Sequence, residues 1–123
     1  MAYLNHYIHD NGLAKFQAEA NRLDITSQEA ATYAEATSTY SLGNKTSLII
    51  GAPEDRGPNG RKVVVAAIAN GSVTASGTVT HWAVSDTASS RLLAAGPLSS
   101  SQGVTAGNVF TLGTIDIGIP DAV

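Results

Sequence analysis

From Val63 onward the chain carries only four charged side chains, Asp86, Arg91, Asp116 and Asp121, and its β-branched residues come in short runs between Gly, Asn and Ser. That pattern reads as β-structure. Val63–Ile68 is apolar enough for a strand buried on both faces. Asn70-Gly71 follows, and then Ser72-Val73-Thr74-Ala75-Ser76. Two such runs around Asn-Gly predict a hairpin, because a type I′ turn needs positive φ at both central residues. Thr78–Val84 is a third strand, and Asp86–Ser90 turns the chain into Arg91–Ala95. A loop over 96–107 leads to a last strand, Asn108–Ile117. Its apolar positions are Phe110 and Leu112, then Ile115, Ile117 and Ile119. The alternation changes parity near Gly113, which predicts a bulge or a change of sheet.

The first half is more polar. Residues 1–62 hold six of the seven basic and seven of the ten acidic groups. Leu4–Phe16 suits a short helix interrupted at Asn11-Gly12. Arg22–Thr26 alternates as a strand with Leu23 and Ile25 on one face. Gln28–Ser38 suits loop or helix, Thr46–Ile50 a strand, and Ala52–Arg61 a polar turn. No linker divides the chain and no repeat is visible. The expected fold is mainly β: an antiparallel β-sandwich, Ig-like or jelly-roll-like, of about six to eight strands. Residues 1–123 form one domain, with 1–20 as an N-terminal arm or short helix.

Charge bounds the function. Of the 123 residues 43% are apolar and 14% charged, and the net charge is −3. Nucleic acid is not an expected partner, since neutralising phosphates needs a basic patch. A surface this poor in ions is expected to be held against another protein. Cysteine is absent, so neither disulfides nor thiolate metal sites exist. No secretory leader is expected at Met1–His6, which has no basic stretch followed by an apolar run. The longest apolar stretch, Val63–Ala69, is far short of the about 20 residues of a membrane span.

No motif for chemistry stands out. His6 and His9 with Asp10 have helical spacing for a metal, yet lack a third firm ligand, and two surface histidines are the plainer reading. His81, Asp86 and a nearby serine imitate a hydrolase triad on paper, without any Gly-x-Ser-x-Gly elbow. Glu54, Asp55 and Asn59 offer hard oxygens to Ca²⁺, but Arg56 and Arg61 oppose a cation. Gly57, Gly60, Gly103 and Gly107 belong to separate turns and make no phosphate loop. Trp82, with Tyr3, Tyr7, Tyr33 and Tyr40, suits sugar stacking or a protein contact, although a lone strand Trp is more usually core. No catalytic residue, cofactor or metal is expected.

Gly77-Thr-Val-Thr-His-Trp-Ala-Val-Ser-Asp86, then Arg91-Leu-Leu-Ala-Ala-Gly-Pro-Leu98 and Val104-Thr-Ala-Gly-Asn-Val-Phe-Thr-Leu112, follow one another as strand, strand, Ser/Thr-rich loop, Ala-Gly-Asn turn and final strand. In this the chain resembles small β-rich bacteriophage virion proteins of the head-decoration and tail-fibre kind. Ile25-Thr26-Ser27-Gln28-Glu29 extends the likeness more loosely. The resemblance implies a non-enzymatic virion building block with a β-sandwich fold, and carries no catalytic residue.

The resulting expectation is a capsid decoration or cement protein, made in the bacterial host cytoplasm and located in the virion. It would be a homo-oligomer binding the major capsid protein. The alternative is a tail, baseplate or fibre component touching host glycans. Ala2–Lys15 is expected to reach onto a neighbouring subunit, with Tyr3, Leu4, Tyr7, Ile8, Leu13 and Phe16 as assembly contacts.

Overall fold

A computed structural model describes residues 3–4, 6–55 and 61–119, with side chains at 12–54 and 61–119. The described residues form ten strands: β1 (Tyr3–Leu4), β2 (Arg22–Thr26), β3 (Ser41–Thr46), β4 (Glu54–Asp55), β5 (Arg61–Val65), β6 (Ile68–Val73), β7 (Gly77–Asp86), β8 (Arg91–Val104), β9 (Val109–Leu112) and β10 (Ile115–Ile119). Eight of them run four residues or longer, in line with the mainly β, antiparallel expectation. Seven join a curled sheet in the order β1-β8-β7-β2-β3-β6-β9, and three form a small sheet, β10-β5-β4. A helix, α1 (His6–Glu19), and a π-helical turn (Glu35–Thr39) complete the structure.

The main core lies between the large sheet on one side and the small sheet with α1 on the other. Leu23, Ile25, Val73, Val79, Val84, Leu93 and Phe110 meet Val63, Val65, Ile115 and Ile117 there. Leu13 and Phe16 come from α1 and Ala20 from just past its end, spaced to share one face. Gly12 interrupts the helix with φ 77° and ψ −178°, so the Asn11-Gly12 break is real and only the second helical piece carries those anchors. The opposite face of the large sheet is covered by residues 27–40. Ala30 and Ala36 settle there on Ala83, Leu92 and Ala95, with Tyr40 at the margin.

Three expectations are corrected. The Val63–Ile68 run is two strands, not one: it breaks at Ala66-Ala67, where the chain passes from the small sheet to the large one. Val63 and Val65 therefore pair with Ile117 and Ile115, while Ile68 pairs with Leu112. Asn70-Gly71 is no turn but lies inside β6, with Gly71 opposite Phe110. A Cβ at Gly71 would run into the Phe110 ring, so glycine is required here for a close approach rather than for positive φ. Replacing Gly71 with Ala should cost about 1–3 kcal/mol, the usual range for overpacking, read as a lowered midpoint in denaturant unfolding. Finally, Thr46–Ile50 is not a strand. The strand is Ser41–Thr46, and Ser47 at φ 57° ends it before a single bridge from Ile50 to Val65.

The parity change at Gly113 is a change of sheet: β9 belongs to the large sheet and β10 to the small one. The loop expected over 96–107 is partly strand. Between the pairs His81↔Pro97 and Val79↔Gln102, four residues of β8 (Leu98, Ser99, Ser100 and Ser101) stand opposite Thr80 alone. This wide bulge lifts that part of β8 off its neighbour.

Candidate functional site

Three features compete as the functional part: the strand edges, a cleft beside Trp82, and a buried ionic cluster. The edges follow from the topology. Among the described residues β9 has one ladder neighbour, β6, and its four residues carry no charge. Val109 on it is 66% exposed. At the other side of the large sheet β1 covers only Ala94 and Ala95, so Pro97–Val104 of β8 pairs with β7 alone among the described residues. That stretch is also uncharged. A second exposed apolar side chain, Ile49 (74%), follows Ser47 and Leu48 at a shallow pocket of about 170 Å³ floored by Ala66 and Ala67.

The cleft opens where the β8 bulge faces the β9–β10 turn. It has a volume of about 290 Å³ and is walled by Trp82, Pro97, Leu98, Ser99, Leu112 and the segment 113–115. Trp82 is half-buried, packed partly against the core. The edge of its indole lies across Gly96: a Cβ there would come within 2.8 Å of Cζ2. Leu98 and Leu112 continue the apolar wall into a narrower slot bounded by Ile25, Val79, Val104 and Phe110.

The ionic cluster was not foreseen. Alternation puts Arg22, Asp24 and Thr26 on the face opposite Leu23 and Ile25, and the 27–40 segment covers that face. Asp24 is fully buried. It accepts a fork of hydrogen bonds from Arg22, Nε to Oδ1 at 2.8 Å and Nη2 to Oδ2 at 2.9 Å, and one from the Ser41 hydroxyl at 2.7 Å. Arg22 Nη2 also donates to the Thr37 carbonyl at 3.3 Å, tying the covering segment to the sheet. Burial raises the Asp24 pKa above its ordinary value despite the opposing pull of Arg22 and Ser41. The bond to Asp24 raises that of Arg22. At the surface, the Glu35 charge raises the Tyr40 pKa, the phenol donating to Glu35 Oε2 at 3.3 Å. An Arg-x-Asp pair on one face of a strand is the only signal in the sequence that could have suggested the cluster.

On β2 and its neighbour β7 the Thr26 and Ser85 hydroxyls are buried with no hydrogen-bond partner among the described residues. An unmatched buried hydroxyl costs about 1–3 kcal/mol. Ser85→Ala should therefore leave stability unchanged or raise it by about 1 kcal/mol, measured as the melting midpoint.

The residues singled out in the sequence fare differently. Leu13 and Phe16 are buried in the chain's own core, which removes them as exposed assembly contacts. The side chains of Tyr3, Leu4, Tyr7 and Ile8, like those of His6, His9 and Asp10, lie outside the described residues. By backbone, Tyr3 and Leu4 pair with Ala95 and Ala94 of the same chain. Leu13 thus belongs to this fold, and deleting residues 2–15 would take it from the core. His81 and Asp86 do not meet: five residues of extended strand separate their Cα atoms by roughly 17 Å. His81 Nδ1 is 2.8 Å from the Thr80 hydroxyl, and Asp86 Oδ1 accepts from the Ala88 amide at 3.0 Å in a local turn. Glu54 lies 3.9 Å from Lys62, which also holds Asp116 at 3.1 Å, while Asn59 and the Asp55 side chain are outside the described residues. Among the described residues no three metal-binding side chains converge. Tyr33 and Tyr40 are half-buried on either side of the π-helical turn.

No family model, no curated protein and no solved structure matches this chain.

Proposed function

We propose that the chain is a non-enzymatic structural protein of a bacteriophage virion, a decoration or cement subunit that binds the major capsid protein and further copies of itself. The observation that carries the reading is the pair of uncharged strand edges, β9 and Pro97–Val104 of β8, each with one ladder neighbour among the described residues. Proteins that stay monomeric usually blunt such edges with Lys, Pro or a covering segment, because free N–H and C=O groups recruit further strands. Here Pro97 and the bulge protect only part of one edge, and β9 shows Val109 to solvent. Strand addition from a neighbouring subunit would satisfy both edges, with backbone bonds supplying affinity. The sequence likeness over Gly77–Leu112 covers these same strands.

Charging the edge tests the reading. A Val109→Lys, Thr111→Lys double variant alters two exposed positions and should melt within a degree or two of the parent. Its co-sedimentation with capsid shells should fall at least tenfold. Undiminished binding by a folded variant would overturn the proposal. A tail, baseplate or fibre position is the second reading, favoured by the solvent-facing Trp82 at its cleft. Copies per particle separate the two: capsid sites number in the hundreds, tail sites in a handful.

A further inference from the structure

We propose that the cleft beside Trp82 is a binding site for an uncharged pyranose sugar. The argument starts from what the wall lacks. Among the described residues its wall is Trp82, Pro97, Leu98, Ser99, Leu112 and the segment 113–115, and none of these is ionisable. A phosphate, carboxylate or ammonium entering it would shed water without a compensating charge, so the chemistry favours a neutral ligand. A purely apolar ligand suits it little better, because Ser99 on the bulge and Thr114 on the turn, both exposed, bring hydroxyl-bearing side chains to the same cleft. A sugar ring has both characters: C–H groups on its faces and hydroxyls around its edge.

The aromatic wall is built to stay in place. Because Gly96 has no side chain, the indole lies across the β8 backbone, and its inner side packs against the core. An aromatic group held this way presents a rigid apolar surface whose rotamer freedom is already spent. The volume, about 290 Å³, is at the lower end of small-molecule sites and fits one ring rather than a chain. The site depends only on the cleft, so it stands or falls separately from capsid binding.

Trp82 is the only tryptophan, so its emission reports on this site alone. The intact protein would be titrated with glucose, galactose, N-acetylglucosamine and their neutral oligomers, and with an apolar tripeptide as the competing ligand. At least one sugar should give a saturable emission change with millimolar half-saturation, the range of one-ring contacts. Ser99→Ala and Thr114→Val, both at exposed positions, should each weaken it severalfold without moving the melting midpoint. Gly96→Ala should shift the emission maximum before any sugar is added. The proposal is overturned by the lack of a saturable response to every sugar, by a response that both hydroxyl variants leave intact, or by a response to the tripeptide alone.

Discussion

Truncating Arg22 to alanine should destabilise the protein by about 3 kcal/mol at neutral pH, the low end for removing one partner of a buried ion pair. The low end applies because the guanidinium reaches partly to solvent while Asp24 is sealed. What costs is less the lost attraction than the carboxylate left behind, with Ser41 alone among the described side chains to donate to it. The loss should shrink in acid. Burial has raised the Asp24 pKa, so between its unfolded and folded values the native state binds the proton more readily than the unfolded chain. Stability from this group therefore falls as pH rises through that window and is level above it. Removing Arg22 raises the folded value further and makes the fall steeper. In Asp24→Asn the slope disappears, so the parent's advantage over this variant should be largest in acid and smaller at neutral pH. Chemical denaturation of the three proteins across the window checks the sign. An Arg22→Ala penalty that grew on acidification would contradict this account.

Phe16→Ala should be the most damaging single substitution, at about 3–5 kcal/mol for emptying a fully enclosed aromatic site. Domains of this size have about 5–15 kcal/mol in total, so the variant approaches unfolding at moderate temperature. The phenyl ring is the largest fully buried side chain and joins α1 to both sheets. Denaturant titration should show a lowered midpoint. A small effect would mean that α1 separates easily from the core, and would restore the idea of a detachable N-terminal arm that Leu13 and Phe16 now oppose.

These residues show what could be read from the chain and what could not. β7 and the start of β8 were legible because apolar runs and the Asp86–Ser90 turn are local signals. The change of sheet at Gly113 was legible because each sheet imposes its own parity. Asn70-Gly71 misled because two unrelated demands select the same residue: a tight turn needs glycine for its backbone freedom, and β6 needs it to admit Phe110. Val63–Ile68 looked uniform because both sheets face one core. The burial of Asp24 was not legible, because nothing local announces that residues 27–40 will fold back over it. The Trp82 cleft needs the bulge at Leu98–Ser101 and the turn at Gly113, which only the folded chain brings together.

The passage of the chain between the two sheets also bears on how the protein assembles itself. β5 finds its partner β10 near the far end of the chain, and β2 waits for β7. β7 and β8 can pair locally across Asp86–Ser90, but neither sheet is contiguous in sequence, so neither is complete until distant strands have met. Folding should then be a slow, all-or-none event on the order of milliseconds to seconds, with the rate set by loop closure rather than by local propensity. During that interval the uncharged strands are exposed together, and the yield of native protein should fall as the refolding concentration is raised.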